Sequence, residues 1–180
     1  MTVISERLDR FNVLLSNQEL APEAKREKLL EAVEGAIDFE AMARRTLGPY
    51  ASTLTTEQSE RFHRAFRTII KNWLVDDFML FDNETVTLLE YAWLPSEEKV
   101  LVKTLGRKKS GLAVTSRDRQ RTRNDYILKD RDGKWMIVDL YINQVNLAMN
   151  YRSQIDAMAR RGESAETVLG MFEAIAERRR

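Results

Sequence analysis

Over the first eighty residues the apolar positions return every three or four places, the spacing of helices with one buried face. From Val3 to Leu15, the residues Ile4, Leu8, Phe11, Leu14 and Leu15 share one stripe. Ala21-Pro22-Glu23 opens a second helix, with proline in the first turn and acids behind it, that reaches Val33–Ala36. Asp38 reads as the cap of a short third helix, Phe39 to Leu47, which Gly48-Pro49 ends. Thr55 to Gln58 has the spacing of a capping box and starts the longest helix. Its stripe is Phe62, Ala65, Phe66, Ile69, Ile70, Trp73, Leu74 and Phe78, wide and aromatic.

After Asp82-Asn83 the period falls to two. Glu84–Leu94, Lys99–Leu105, Arg119–Lys129 and Lys134–Ile142 read as strands, with Pro95 to Glu98 and Asp130 to Gly133 as the breaks. Connections this short argue for antiparallel pairing, because parallel crossovers need a dozen or more residues. Strict alternation puts Trp135, Ile137, Asp139 and Tyr141 on one face of the last strand, and Met136, Val138, Leu140 and Ile142 on the other. Both faces are largely apolar, so this strand is predicted to be central and covered. Helical spacing returns at Leu147, Tyr151, Ile155 and Met158, with Asn143 or Asn146 as the cap and Gly162 as the stop. Ser164 caps a last helix carrying Val168, Leu169, Met171, Phe172 and Ile175. Helices first and then strands predict an α+β fold. One twisted four-stranded antiparallel sheet, residues 84–142, packs against helices from 1–81 and 146–180 in a single domain of residues 1–180.

Composition narrows the function. A chain of 180 residues with 43% hydrophobic content is enough for one core. The 29 basic and 28 acidic residues nearly cancel, so nucleic acid is not an expected partner. The halves differ, with 11 basic and 16 acidic residues in 1–90 against 18 and 12 in 91–180. There is no cysteine, which excludes disulfides, thiolate metal sites and a cysteine nucleophile. Charges at Glu6, Arg7, Asp9 and Arg10 interrupt the apolar core a secretory signal needs, so any export signal is expected to precede this numbering.

Candidate chemistry is sparse. His63 is the single histidine, which rules out a histidine-rich metal site, and it reads as a helix-flank residue. Asp76 and Asp77 are neighbours on a helix, about 100° apart, and read as solvated. No phosphate-loop, dinucleotide, zincin or nucleophile-elbow string occurs. Asp139 has two readings: an acid or base in a small cone-fold enzyme, or a structural carboxylate paired with an arginine such as Arg152. Arg107, Lys108, Lys109, Arg117, Arg119, Arg121 and Arg123, against the single Asp118, form a basic segment. It reads either as an anion-facing surface or as a solvated hairpin.

Three segments stand out together: Asp38 to Gly48, Gln58 to Ile70 with Phe62, Phe66 and Arg67, and the stretch holding Trp135, Asp139, Leu147 and Asn150-Tyr151-Arg152-Ser153-Gln154. Together they resemble the toluene-tolerance family, the MlaC-type phospholipid-binding component of ABC lipid transport. The resemblance implies a periplasmic carrier that encloses phospholipid acyl chains between sheet and helices, without catalytic residue, metal or cofactor. The implied lipid wall is Phe66, Ile70, Trp73, Leu74, Phe78, Val86, Leu88, Val100, Val102, Tyr126, Leu128, Trp135, Ile137, Leu147, Tyr151 and Ile155. The implied partners are phospholipid, an inner-membrane ABC lipid-transport complex and an outer-membrane lipoprotein or porin complex. Enclosure has an energetic reason: at ~0.8 kcal/mol per methylene, two chains of roughly sixteen carbons cost on the order of 20–25 kcal/mol to leave in water.

Overall fold

A computed structural model of the chain describes residues 2–79, 86–107 and 121–179. Four helices come first: α1 (Thr2–Ser16), α2 (Pro22–Ala36), α3 (Phe39–Leu47) and α4 (Thr56–Met79). Strands β1 (Thr87–Leu94), β2 (Lys99–Arg107), β3 (Arg121–Arg131), β4 (Lys134–Ile142) and β5 (Val145–Asn146) follow, then α5 (Leu147–Arg160) and α6 (Ala165–Glu177). The strands pair antiparallel in the order β1-β2-β3-β4-β5. The α+β reading therefore holds.

Local chemistry places most of the boundaries. Asp38 Oδ1 accepts the Ala41 N–H at 2.8 Å at the start of α3. Thr55 and Gln58 form the reciprocal capping box, with N–H to side-chain oxygen distances of 3.2 and 3.0 Å. Asn146 and Ser164 cap α5 and α6 in the same way, at 2.7 and 3.2 Å. Asp132 and Gly133 take positive φ in the β3–β4 turn, and Asp130 Oδ1 accepts the Gly133 N–H at 2.7 Å.

Two features depart from the sequence reading. The sheet has a fifth strand, because Asn143 (φ 47°) and Gln144 (φ 71°) make a left-handed two-residue turn that pairs Tyr141 with Asn146 and Ile142 with Val145. Two residues carry no period, so alternation could not reveal it. The second departure is a bulge. Leu128 faces Ile137 and Ile127 faces Asp139, which leaves Val138 as an extra residue in β4. The side-chain phase flips there. Ile137, Leu140 and Ile142 all pack on the helices, while Asp139 and Tyr141 turn to the opposite face.

The main core lies between α4, α3, α5 and α6, around Phe62, Phe66, Ile69, Phe172 and Leu169. A smaller cluster of Ile4, Val100, Val102 and Leu128 sits on the sheet under α1. Asp77 is buried, not solvated, while Asp76 pairs with Arg26 at 2.6 Å. Trp93 shares the helix-side face but stands 54% exposed on the edge strand β1, with its ring edge-on to Trp135 at 6.4 Å. Of the basic segment, Lys108, Lys109, Arg117 and Arg119 fall outside the described residues, and Arg123 pairs with Asp125 at 3.2 Å.

Candidate functional site

A cavity of about 410 Å³ opens between the sheet and the first two helices. Its wall is almost entirely apolar. α1 contributes Ile4, Leu8, Phe11 and Leu14, α2 contributes Ala32, Val33 and Ala36, and Ile37 follows. The last turns of α4 add Leu74 and Phe78, Val86 precedes β1, and the sheet adds Val102, Thr104, Tyr126, Leu128, Trp135 and Ile137. Arg7, Arg10 and Glu31 are the charged members. Arg10, Glu31 and Gly35 are exposed, so the mouth lies between α1 and α2. Such a wall gives water few hydrogen-bond partners and suits an apolar guest.

Three ties hold α1 over this space. The Phe11 and Phe78 rings meet edge to face at 4.6 Å. Asn12 brackets Val86, donating from Nδ2 to its carbonyl at 3.0 Å and accepting its N–H on Oδ1 at 2.8 Å. The Arg7 guanidinium donates to the Trp135 carbonyl oxygen.

Leu74, Phe78, Val86, Val102, Tyr126, Leu128, Trp135 and Ile137 all border the cavity. Val100 and Leu88 pack in the small cluster beside it. Phe66, Ile70 and Ile155 are fully buried in the main core, with Leu147, Tyr151 and Trp73 packed against that core. Tyr151 lies against Phe66 and Phe172, at 6.1 and 5.6 Å between ring centroids. The helix-side wall from α1 and α2 went unassigned in the sequence, although the stripe Ile4, Leu8, Phe11 and Leu14 was legible. A stripe facing a cavity has the same period as one facing a core.

Tyr126 and Thr104 are polar members of the wall. Tyr126 is the titratable one of the two. Burial pushes its phenol up to about 12, against the opposing hydrogen bonds of Asn124 and Thr104. It therefore stays neutral at any physiological pH and offers the cavity a ring face with no charge.

Asp139 lies on the far side of the sheet. It is 3% exposed, and its partner is Arg45 of α3, Nε to Oδ2 at 2.9 Å, in place of the expected Arg152. Asn146 Nδ2 donates to the same oxygen at 2.7 Å, and the Leu140 N–H donates to Oδ1 at 2.9 Å. Both oxygens of this carboxylate are engaged, which leaves it little free capacity to take part in proton transfer. Arg152 instead lies against Gly48, where a Cβ would fall 2.4 Å from its Cζ. No cluster of metal-ligating side chains occurs among the described residues.

An open antiparallel sheet with helices packed on it and a dominantly apolar cavity between them defines the class: an α+β protein with an apolar space between sheet and helices. Residues 4–174 match the MlaC protein family, and the chain belongs to that family. A solved structure of a phospholipid-binding protein from Ralstonia solanacearum, in complex with a phospholipid, has the same fold. It superposes with a TM-score of 0.68 over 99% of this chain and 94% of the other, at 16% identity. No curated protein matches the sequence.

Proposed function

We propose that the protein is a phospholipid carrier whose 410 Å³ cavity takes the acyl chains, with the headgroup at the mouth beside Arg10. The observation that carries this reading is the composition of the wall, in which aliphatic and aromatic side chains from α1, α2, α4 and three strands meet around one space. The phospholipid-bound neighbour and the family membership support it. Tail enclosure supplies the binding energy, since each methylene removed from water contributes ~0.8 kcal/mol. The headgroup is then held mainly by Coulomb attraction to exposed arginine, which is weak in water and favours exchange.

The same reading makes the protein non-catalytic and free of cofactor, the lipid being cargo. Its place is the periplasm, between an inner-membrane ABC lipid-transport complex and an outer-membrane lipoprotein or porin complex. No helix among the described residues is long and apolar enough to cross a membrane. The enzyme alternative based on Asp139 is less well supported, because Arg45, Asn146 and the Leu140 N–H already occupy that carboxylate.

Uptake from vesicles tests the proposal. Protein stripped of lipid and mixed with vesicles holding a fluorescent phosphatidylethanolamine is expected to move the label into the protein fraction. Label that stays wholly with the vesicles would sink the carrier reading.

A further inference from the structure

A second hollow, about 330 Å³, lies on the opposite face of the sheet, bordered by α3 and the β1–β2 turn. Ala41, Ile127 and Val138 supply its apolar part, and four cations surround it: Arg45, Lys99, Lys129 and Arg131. Three of these have their own carboxylate. Arg45 pairs with Asp139 at 2.9 Å, Lys99 with Glu97 at 2.6 Å and Arg131 with Asp38 at 2.9 Å. Lys129 has no carboxylate partner among the described residues, and it stands directly across from Lys99 in the β2–β3 register. Like charges directly opposite on neighbouring strands repel. The fold thus holds one half-buried ammonium without a carboxylate partner in a concave site.

We propose that this hollow is a docking site for an acidic segment of a partner protein, receiving one carboxylate side chain flanked by an apolar residue. One uncompensated charge matches a carboxylate, whereas a phosphate monoester would bring about −1.5 to −2. Arg45 contacts Asp139 through Nε and pairs with no other carboxylate among the described residues, so its planar fork is available to a second one. The apolar part accepts the neighbouring side chain, which a bare inorganic ion would leave unfilled. The hollow and the cavity are separated by the sheet, so a partner seated here leaves the mouth between α1 and α2 open. The proposal stands whatever the cavity contains.

The test is fluorescence anisotropy of a labelled Gly-Ser-Leu-Glu-Leu-Ser-Gly peptide with the intact protein at low and physiological salt. Lys129→Glu is expected to weaken binding roughly tenfold or more, with Lys129→Arg retaining it and bound lipid unchanged in both. Lys134→Glu, an exposed charge reversal on the neighbouring strand, is expected to have a much smaller effect. The proposal is overturned by any of four results: no peptide binding, equal weakening by Lys134→Glu, loss of lipid in Lys129→Glu, or Lys129-dependent binding of phosphatidylglycerol vesicles in place of peptide.

Discussion

Arg45 and Asp139 join α3 to β4 through a contact of 2.9 Å, in which the carboxylate is buried and the guanidinium half exposed. The bulge at Val138 makes this possible, because it turns Asp139 out of the helix-side face that simple alternation assigns to it. Without its cation the carboxylate would remain buried with two donors.

Arg45→Met is therefore expected to lower stability by about 1–3 kcal/mol, the cost of leaving a buried acceptor short of a partner. Asp139→Asn also costs, since its amide would turn donors toward Asn146 and Arg45. In urea denaturation the double variant should lose less than the two single losses combined, with a coupling of about 0.5–3 kcal/mol. Strict additivity would show that the pair does not act as a unit.

The two sides of α1 give a sharper contrast. Leu8 borders the cavity, whereas Val13 on the same helix is 68% exposed. Leu8→Asp places a charge against the tails and should reduce retained phospholipid by about tenfold or more. Val13→Asp should retain lipid normally. Trp73→Asp, in the main-core region, should reduce stability before it reduces lipid content. Equal lipid loss in Leu8→Asp and Val13→Asp would remove α1 from the binding wall.

Gly48 sits at φ 52°, ψ −134°, a conformation that side chains strongly disfavour, with the Arg152 guanidinium packed where a Cβ would go. Gly48→Ala should cost about 1–3 kcal/mol. The arginine is the far end of a flexible side chain and can shift, so most of the penalty is backbone strain. Adding Arg152→Ala should recover only a minor part of the loss. Full recovery would assign the cost to the clash instead.

His63 provides a pH test with one probe, since it is the only histidine. Burial lowers its pKa below the ordinary 6.5, ahead of the opposing pull of Glu40. The unfolded chain then binds the proton more readily than the folded one, so stability rises with pH through this range. The contribution is complete above pH 6.5 and is lost as pH falls through the folded value. His63→Gln should flatten this part of the stability curve, and NMR titration of the imidazole should place its midpoint below 6.5.

Much of this architecture was legible because local chemistry decides it. Asp38, Thr55 with Gln58, and Ser164 each announced a helix start that the structure keeps, and of the two candidates Asn143 and Asn146 the structure uses Asn146. The sheet side of the cavity was legible too, since Val102, Tyr126 and Leu128 lie in alternating register on one face. What escaped depends on distance or on a single inserted residue. The partner of Asp139 comes from a helix far back in the chain, and no spacing rule connects it to Arg45. One bulged residue at Val138 reversed the faces assigned to the second half of β4. On α4, Phe66 and Leu74 carry the same periodic signal, yet one packs into the core against Phe62 and Tyr151 and the other reaches the cavity.

In the proposed function, the space between α1, α2 and the sheet holds acyl chains. Organic extraction of the purified protein, followed by mass spectrometry against an internal phospholipid standard, tests it most directly. The wild type is expected to yield close to one phospholipid per cavity, and Leu8→Asp to lose it. A wild-type extract without phospholipid, from protein that also takes up none when offered vesicles, would contradict it.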